Sequence, residues 1–151
     1  MHLRHFLQLA GATAIASCST SSPDKKTAPQ PFASLPETDQ EVYDAVFRYQ
    51  ISRWAGSSYK QWYLKLLGDD APQDLIQRYR AEGLEVYPRS SYIEGNGVVF
   101  SISRIVSLTT SHAELAGGYA YGSLAAAFGK YHLVKKQGRW IVASFTVEIC
   151  A

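Results

Sequence analysis

The sequence predicts one α+β domain in which a long N-terminal amphipathic helix and a short second helix pack on a curved, mainly antiparallel sheet. Apolar residues recur with helical period over 38–54 and again over 71–82. Strand-type segments separated by turn residues follow from residue 97 onward and form a C-terminal four-strand meander. Helices that precede a run of consecutive strands are typical of α+β rather than α/β proteins.

Residues 1–17 have the build of a secretory signal peptide, because a basic residue, Arg4, precedes an apolar run from Phe6 to Ala16. That run of about 11 residues falls short of the roughly 20 that a helix needs to cross a bilayer. The segment therefore predicts export and cleavage rather than a membrane-spanning anchor.

The signal ends on Ile15-Ala16-Ser17-Cys18, which resembles the lipobox of bacterial lipoproteins. The resemblance implies that Cys18 is acylated, becomes the first mature residue and anchors the chain in a membrane. Because Ser19 follows the cysteine, it also implies sorting to the outer membrane, facing the periplasm, in a Gram-negative cell. The alternative is an ordinary cleaved signal with an incidental cysteine.

Charge and cysteine content narrow the function classes further. Without residues 1–17 the chain has 14 Lys and Arg against 13 Asp and Glu, so no excess of positive charge predicts nucleic-acid binding. If Cys18 is acylated, Cys150 is the only thiol left. It is then either a small apolar side chain at the end of the last strand or a partner in an intermolecular disulfide.

Residues 18–35 are rich in Ser, Thr and Pro and predict a flexible tether, which leaves 36–151 as the single folded domain. Thr38-Asp39-Gln40-Glu41 has the pattern of a capping box and places the start of the first helix near residue 38, with Ser34 as a second possible cap. The helix ends before Gly56. Alternation over 59–67 predicts a strand with Trp62, Leu64 and Leu66 inside and with Tyr59 and Tyr63 on the outer face.

A second helix is predicted over 71–82, with Asp70 as its cap and Gly83 as its stop. A short extended piece follows and ends at Pro88. Asn96-Gly97 is a strong hairpin signal, and the four strands of the meander are predicted at 97–109, 112–122, 126–136 and 139–149. Strict alternation on the last strand puts five residues on one face: Ile141, Ala143, Phe145, Val147 and Ile149.

The order of these elements, together with the closing Gly138-Arg139-Trp140-Ile141 hairpin, resembles the nuclear-transport-factor-2-like superfamily. The chain is also similar to small bacterial lipoproteins of unknown function. The superfamily resemblance implies a cone-shaped pocket between the helices and the meander, which holds an apolar ligand or an acid/base pair.

Arg104 is the first candidate for that pocket, because it alternates with Phe100, Ile102 and Val106, and a buried guanidinium would need an anionic partner. A β-bulge that turns it to solvent is the alternative. Tyr119 and Tyr121 share one face of their strand, and His132 alternates with apolar residues on the next strand; all three join Arg104 as ligand-pocket candidates.

His112 and Glu114 lie two residues apart on the same strand and form a possible proton-transfer pair, with a solvated sheet surface as the alternative. No histidines and carboxylates fall at metal-ligand spacing, and no Gly-x-Ser-x-Gly motif or phosphate loop is present in the sequence. We therefore expect no metal, no cofactor and no catalytic residue, and the sequence favours a binding module over an enzyme.

The sequence predicts a lipoprotein of the cell envelope that acts as a non-catalytic binding or accessory module for an envelope protein or glycan. A small-molecule pocket, with or without acid/base catalysis, is the first alternative. An inhibitor of a secreted or periplasmic enzyme, presenting an edge strand or the loop at 88–97, is the second.

Overall fold

The computed structural model describes residues 29–151 and confirms the α+β class. Its two helices are α1 (Glu37–Trp54) and α2 (Gln73–Ala81), and short 3₁₀ turns lie at Phe32–Ser34 and Arg89–Ser91. The seven strands are β1 (Trp62–Leu66), β2 (Asp69–Asp70), β3 (Val86–Pro88), β4 (Val98–Leu108), β5 (His112–Ala120), β6 (Ala126–Lys136) and β7 (Arg139–Cys150).

All seven strands belong to one sheet with the order β2-β1-β4-β5-β6-β7, and β3 also pairs with β1. Strands β4 to β7 form the predicted antiparallel meander. The hairpin predicted at Asn96-Gly97 is wrong, because the strands on either side of it do not pair with each other. Instead β3 and β4 each pair with β1 in parallel, so the turn places β1 between them.

Both helices lie within two residues of their predicted positions, but their caps differ from the prediction. Pro36 precedes α1 and Pro72 precedes α2, and neither helix has a side-chain cap. The fixed φ of proline is compatible with the start of a helix, but its ring offers no acceptor for the free N–H groups of the first turn. The Asp70 carboxylate accepts hydrogen bonds from the Ser90 backbone N–H and hydroxyl at 2.6 Å and joins β2 to the turn after β3.

The core lies between α1, α2 and one face of the sheet, which we call the inner face. Its fully buried side chains come from every layer, among them Phe47, Leu64, Ile76, Phe100, Leu115 and Tyr131. Phe32 is also in this core, at 2% exposure. The folded part of the chain therefore starts before residue 36, the predicted boundary between tether and domain.

Two irregularities change which side chains face the core. In β7 the register with β6 shifts twice, so that Ala143 and Glu148 are extra residues. The first shift reverses the alternation, and the inner face carries Trp140, Val142 and Phe145. The prediction that Ile141, Ala143, Phe145, Val147 and Ile149 all face one way is wrong: Phe145 packs against the core, whereas Ile149 is 65% exposed.

Neither helix among residues 29–151 has the length and apolarity that a bilayer crossing requires. The predicted signal peptide, the lipobox cysteine Cys18 and most of the predicted tether lie outside the described residues. Cys150 is exposed at the end of β7 and makes no disulfide with the described residues.

Candidate functional site

A cavity of about 400 Å³ lies between the C-terminal half of α1 and the inner face of the meander. Ligand sites in proteins typically combine apolar and aromatic side chains with a small number of well-placed polar groups; five of the seven residues that line this cavity are aromatic, and the other two are an amide and a guanidinium. Its lining residues are Tyr49, Gln50, Arg53 and Trp54 from α1, Tyr119 from β5, Tyr131 from β6 and Phe145 from β7.

The aromatic walls are held in place by one another. Tyr131 and Phe145 stack with ring centroids 4.3 Å apart, and Tyr49 meets Tyr131 edge-on at 6.1 Å. On the other side Trp54 packs edge-on against Tyr119 at 5.2 Å. Rings fixed by such contacts present preformed flat apolar surfaces to a ligand.

The Gln50 side chain is a buried amide in the lining, at 2% exposure. Its Nε2 donates to the Gly118 carbonyl oxygen at 2.9 Å and to the Tyr131 hydroxyl at 2.8 Å. The acceptor at Gly118 fixes the orientation of the amide, since a flipped amide would place two oxygens against each other. The other amide atom, Oε1, is buried and has no hydrogen-bond partner among the described residues.

The Tyr131 hydroxyl has a free hydrogen to donate. It already accepts from Gln50, and burial raises the pKa of Tyr131 above its ordinary value against the opposing effect of that hydrogen bond. The phenol therefore stays protonated at neutral pH. Gln50 and Tyr131, two buried residues of the lining, therefore hold one unused acceptor and one unused donor hydrogen.

Arg53 supplies the only charge in the lining. It is exposed, it forms no ion pair within residues 29–151, and no carboxylate lines the cavity. Because Arg53 follows Gln50 by three residues on α1, the two side chains lie on one face of the helix, one turn apart. The lining thus runs from a buried amide to a cation at the solvent side.

The sequence-predicted candidates divide between the two faces of the sheet. Tyr119 lines the cavity, and Tyr121 packs beside it on Trp54 with centroids 4.9 Å apart. Tyr59, predicted on the outer face, joins this inner cluster, with its ring 5.9 Å from that of Tyr121. Tyr63 is on the outer face but is 4% exposed, because Tyr87 and Tyr92 cover it.

Arg104 and His132 lie on the outer face and do not reach the cavity. The register of β4 with β5 shifts between Ile102 and Arg104, so Ser103 is an extra residue that turns the guanidinium outward to solvent. The bulge alternative for Arg104 is the one found, and its role as a pocket residue is corrected. The four candidates therefore do not converge on one cavity.

His132 takes part in a polar cluster on that outer face. Its Nδ1 lies 3.3 Å from a Glu114 carboxylate oxygen, and its Nε2 lies 3.3 Å from the Thr146 hydroxyl. Lys130 lies 3.5 Å from Glu114 and 3.3 Å from Glu148. Glu114 thus pairs with His132 rather than with His112, whose Nδ1 contacts the Ser111 hydroxyl at 2.9 Å. The cluster lies on the solvent-facing side of the strands, and its charged side chains are partly exposed.

Sequence reasoning missed Gln50, Arg53, Tyr131 and Phe145. A signal existed for Gln50, because it occurs between Phe47 and Ile51 on the apolar side of the first helix, where a polar residue is unexpected. Tyr131 and Phe145 gave no such signal, because no local pattern distinguishes a core aromatic from one that lines a cavity.

The chain matches no protein-family model, and no curated protein and no solved structure is detectably similar to it.

Proposed function

We propose that this chain is an exported, lipid-anchored protein of the cell envelope whose domain binds a small molecule in the aromatic cavity and catalyses no reaction. The observation that carries the proposal is the cavity itself, with its fixed aromatic walls and its unused hydrogen-bonding groups. The proposed location in the cell envelope rests on the lipobox pattern at Cys18.

Binding rather than catalysis is supported by the kinds of side chain that line the cavity. The lining contains no carboxylate and no imidazole, which are the usual general acids and bases near neutral pH. Burial keeps the pKa of Tyr131 above its ordinary value, so this phenol keeps its proton near neutral pH and acts there as a hydrogen-bond donor rather than as a general base. The groups that are present suit recognition of a ligand's shape and polarity.

The three tryptophans provide a test of the binding site. Trp54 lines the cavity, Trp62 is 5% exposed in the core, and Trp140 donates through Nε1 to Glu41 at 3.2 Å, outside the cavity. In a screen of planar aromatic fragments against ¹⁵N-labelled protein, we expect binders to shift the Trp54 indole resonance and to leave those of Trp62 and Trp140 in place. A screen in which no fragment binds, or in which Trp140 shifts instead, contradicts the proposed site.

The anchor is tested separately. Cells expressing the full chain should incorporate a labelled fatty acid into it, and the label should be lost in Cys18→Ser but not in Cys150→Ser. The second variant is the matched control, since it removes the other cysteine of the chain. If the wild-type chain incorporates no labelled fatty acid, the proposed location in the cell envelope is wrong, but the proposed ligand site is unaffected.

A further inference from the structure

We infer that the ligand of the aromatic cavity is a planar aromatic anion that also carries a hydrogen-bond donor, with its anionic group on Arg53 and its donor on Gln50. This inference rests on the proposed function and specifies the chemistry that the site selects. It follows from three features of the lining: the rings, the unpaired cation and the unpaired buried acceptor.

The anionic group is assigned from the charge balance of the lining. Aromatic faces by themselves also suit a cation, because the centre of the ring is electron-rich. Arg53 reverses that preference, since it places a permanent positive charge beside the rings and has no carboxylate partner in the lining or among the other described residues. A carboxylate or similar anion pairs with a guanidinium through two parallel hydrogen bonds.

The donor is assigned from Gln50. A buried amide oxygen without a partner loses its hydration without compensation, at a cost that a ligand donor can recover. Because Nε2 is committed to Gly118 and Tyr131, the Gln50 side chain cannot turn to satisfy Oε1 by itself. A ligand hydroxyl or N–H placed there would meet an acceptor in Gln50 Oε1 and a donor in the Tyr131 hydroxyl.

The spacing of these groups sets the size of the ligand. Gln50 and Arg53 are three residues apart on α1 and so about 4.5 Å apart along the helix axis, and the arginine side chain extends this span toward solvent. The two groups therefore suit opposite ends of one or two fused rings. A cavity of about 400 Å³ has room for a ring system of that size.

Four matched probes test the inference by titration calorimetry on the full-length protein. They are a hydroxynaphthoate with its hydroxyl and carboxylate at opposite ends, the naphthoate without the hydroxyl, the neutral hydroxynaphthamide, and a naphthylmethylammonium ion. We expect the hydroxynaphthoate to bind at least about tenfold more tightly than the amide, since hydrogen bonds to a charged group are stronger than neutral ones. The ammonium ion should bind least.

Variants connect these preferences to the residues. Arg53→Gln should remove the preference for the carboxylate over the amide, and Arg53→Lys should keep part of it. Arg104→Gln is the matched control, because it removes an exposed arginine from the opposite face of the sheet. It should change the affinity for neither the carboxylate nor the amide. Gln50→Met should remove the preference for the hydroxynaphthoate over the naphthoate. Comparing the affinities of these two ligands for the wild-type protein tests the same contact without a substitution.

The outcomes separate this inference from the proposed function. Equal binding of carboxylate and amide, or tightest binding of the ammonium ion, overturns the anionic assignment while the cavity remains a ligand site. A carboxylate preference that survives Arg53→Gln overturns the role of Arg53. If none of the four probes binds, the inference fails, and the proposed function fails with it only if the fragment screen at Trp54 is also empty.

Discussion

At the scale of single residues, the Asp44 carboxylate joins the two helices. It accepts hydrogen bonds from Arg48 at 2.9 Å, from Arg78 at 2.7 Å and from the Tyr79 hydroxyl at 2.6 Å. Tyr79 is fully buried on α2, and burial followed by the nearby Asp44 charge raises the pKa of its phenol. The hydroxyl is therefore a buried donor that depends on one acceptor.

Replacing Asp44 by Ala should reduce the free energy of unfolding by about 2 to 3 kcal/mol, because the buried Tyr79 hydroxyl loses its acceptor. Urea denaturation followed by circular dichroism measures the change. Glu82→Ala is the matched control, since it removes the other carboxylate bonded to Arg48 from a pair whose side chains are 42% and 41% exposed, and such pairs contribute about 0 to 1 kcal/mol. If Asp44→Ala and Glu82→Ala lose the same free energy of unfolding, the hydrogen bond from Tyr79 to Asp44 does not account for the destabilisation.

At the scale of elements, two paired glycines leave the middle of one cross-strand row of the meander without side chains. Gly117 on β5 pairs with Gly129 on β6, between Ile102 on one side and Val147 on the other. A Cβ added to Gly129 would overlap the Thr146 carbonyl oxygen. The strands therefore approach at this row in a way that only glycine allows, next to the Gly118 carbonyl that holds Gln50.

Gly129→Ala should lower the free energy of unfolding by about 3 kcal/mol, because the backbones of β6 and β7 must separate to admit the methyl group. Gly56→Ala is the control, because nothing lies within 4 Å of its added Cβ. This change should be neutral, or it should stabilise the protein by up to about 1 kcal/mol because alanine lowers the conformational entropy of the unfolded chain. Thermal unfolding of both variants gives the comparison. A Gly129→Ala protein as stable as wild type would show that the close approach is not needed.

The elements also show how far a sequence predicts a sheet. The helices, β1 and the four meander strands follow from periodicity, and Gln137-Gly138 makes the predicted turn with φ of 52° and 74°. The bulge near Ser103 is one of two alternatives, because an arginine among apolar positions indicates either a buried ion pair or an extra residue. The bulge at Ala143 does not follow from periodicity, because one extra residue reverses every side chain beyond it and leaves no local mark in the sequence. Ser103 decides that Arg104 faces solvent. Ala143 decides that Phe145 reaches the cavity, and the second extra residue of β7, Glu148, decides that Ile149 does not.

At the scale of the whole molecule, the chain enters the domain through a docked segment. Phe32 is buried in the core, and the Arg78 guanidinium lies 5.3 Å from the centre of its ring. The backbone N–H groups of Phe32 and Ala33 donate to the two carboxylate oxygens of Asp74, each at 2.9 Å. Phe32 and Ala33, near the N-terminal end of the described residues, are therefore held against α2 by the Asp74 carboxylate and by the packing of the Phe32 ring.

That carboxylate makes the docking sensitive to acid. Burial alone would raise the pKa of Asp74, but hydrogen bonds from Ala33 and Phe32 outweigh it and lower the pKa below its ordinary value of 3.8. The stabilisation is therefore complete above that value and is lost as the pH falls through the lower, folded-state pKa. We expect the Phe32 and Ala33 amide proton resonances to titrate together with a midpoint below 3.8, and Asp74→Asn to abolish that titration. Asp69→Asn is the control, because it changes an exposed carboxylate on β2, and it should leave this titration intact. A midpoint at or above 3.8 would show that the Phe32 and Ala33 amides do not stabilise the charged Asp74 carboxylate.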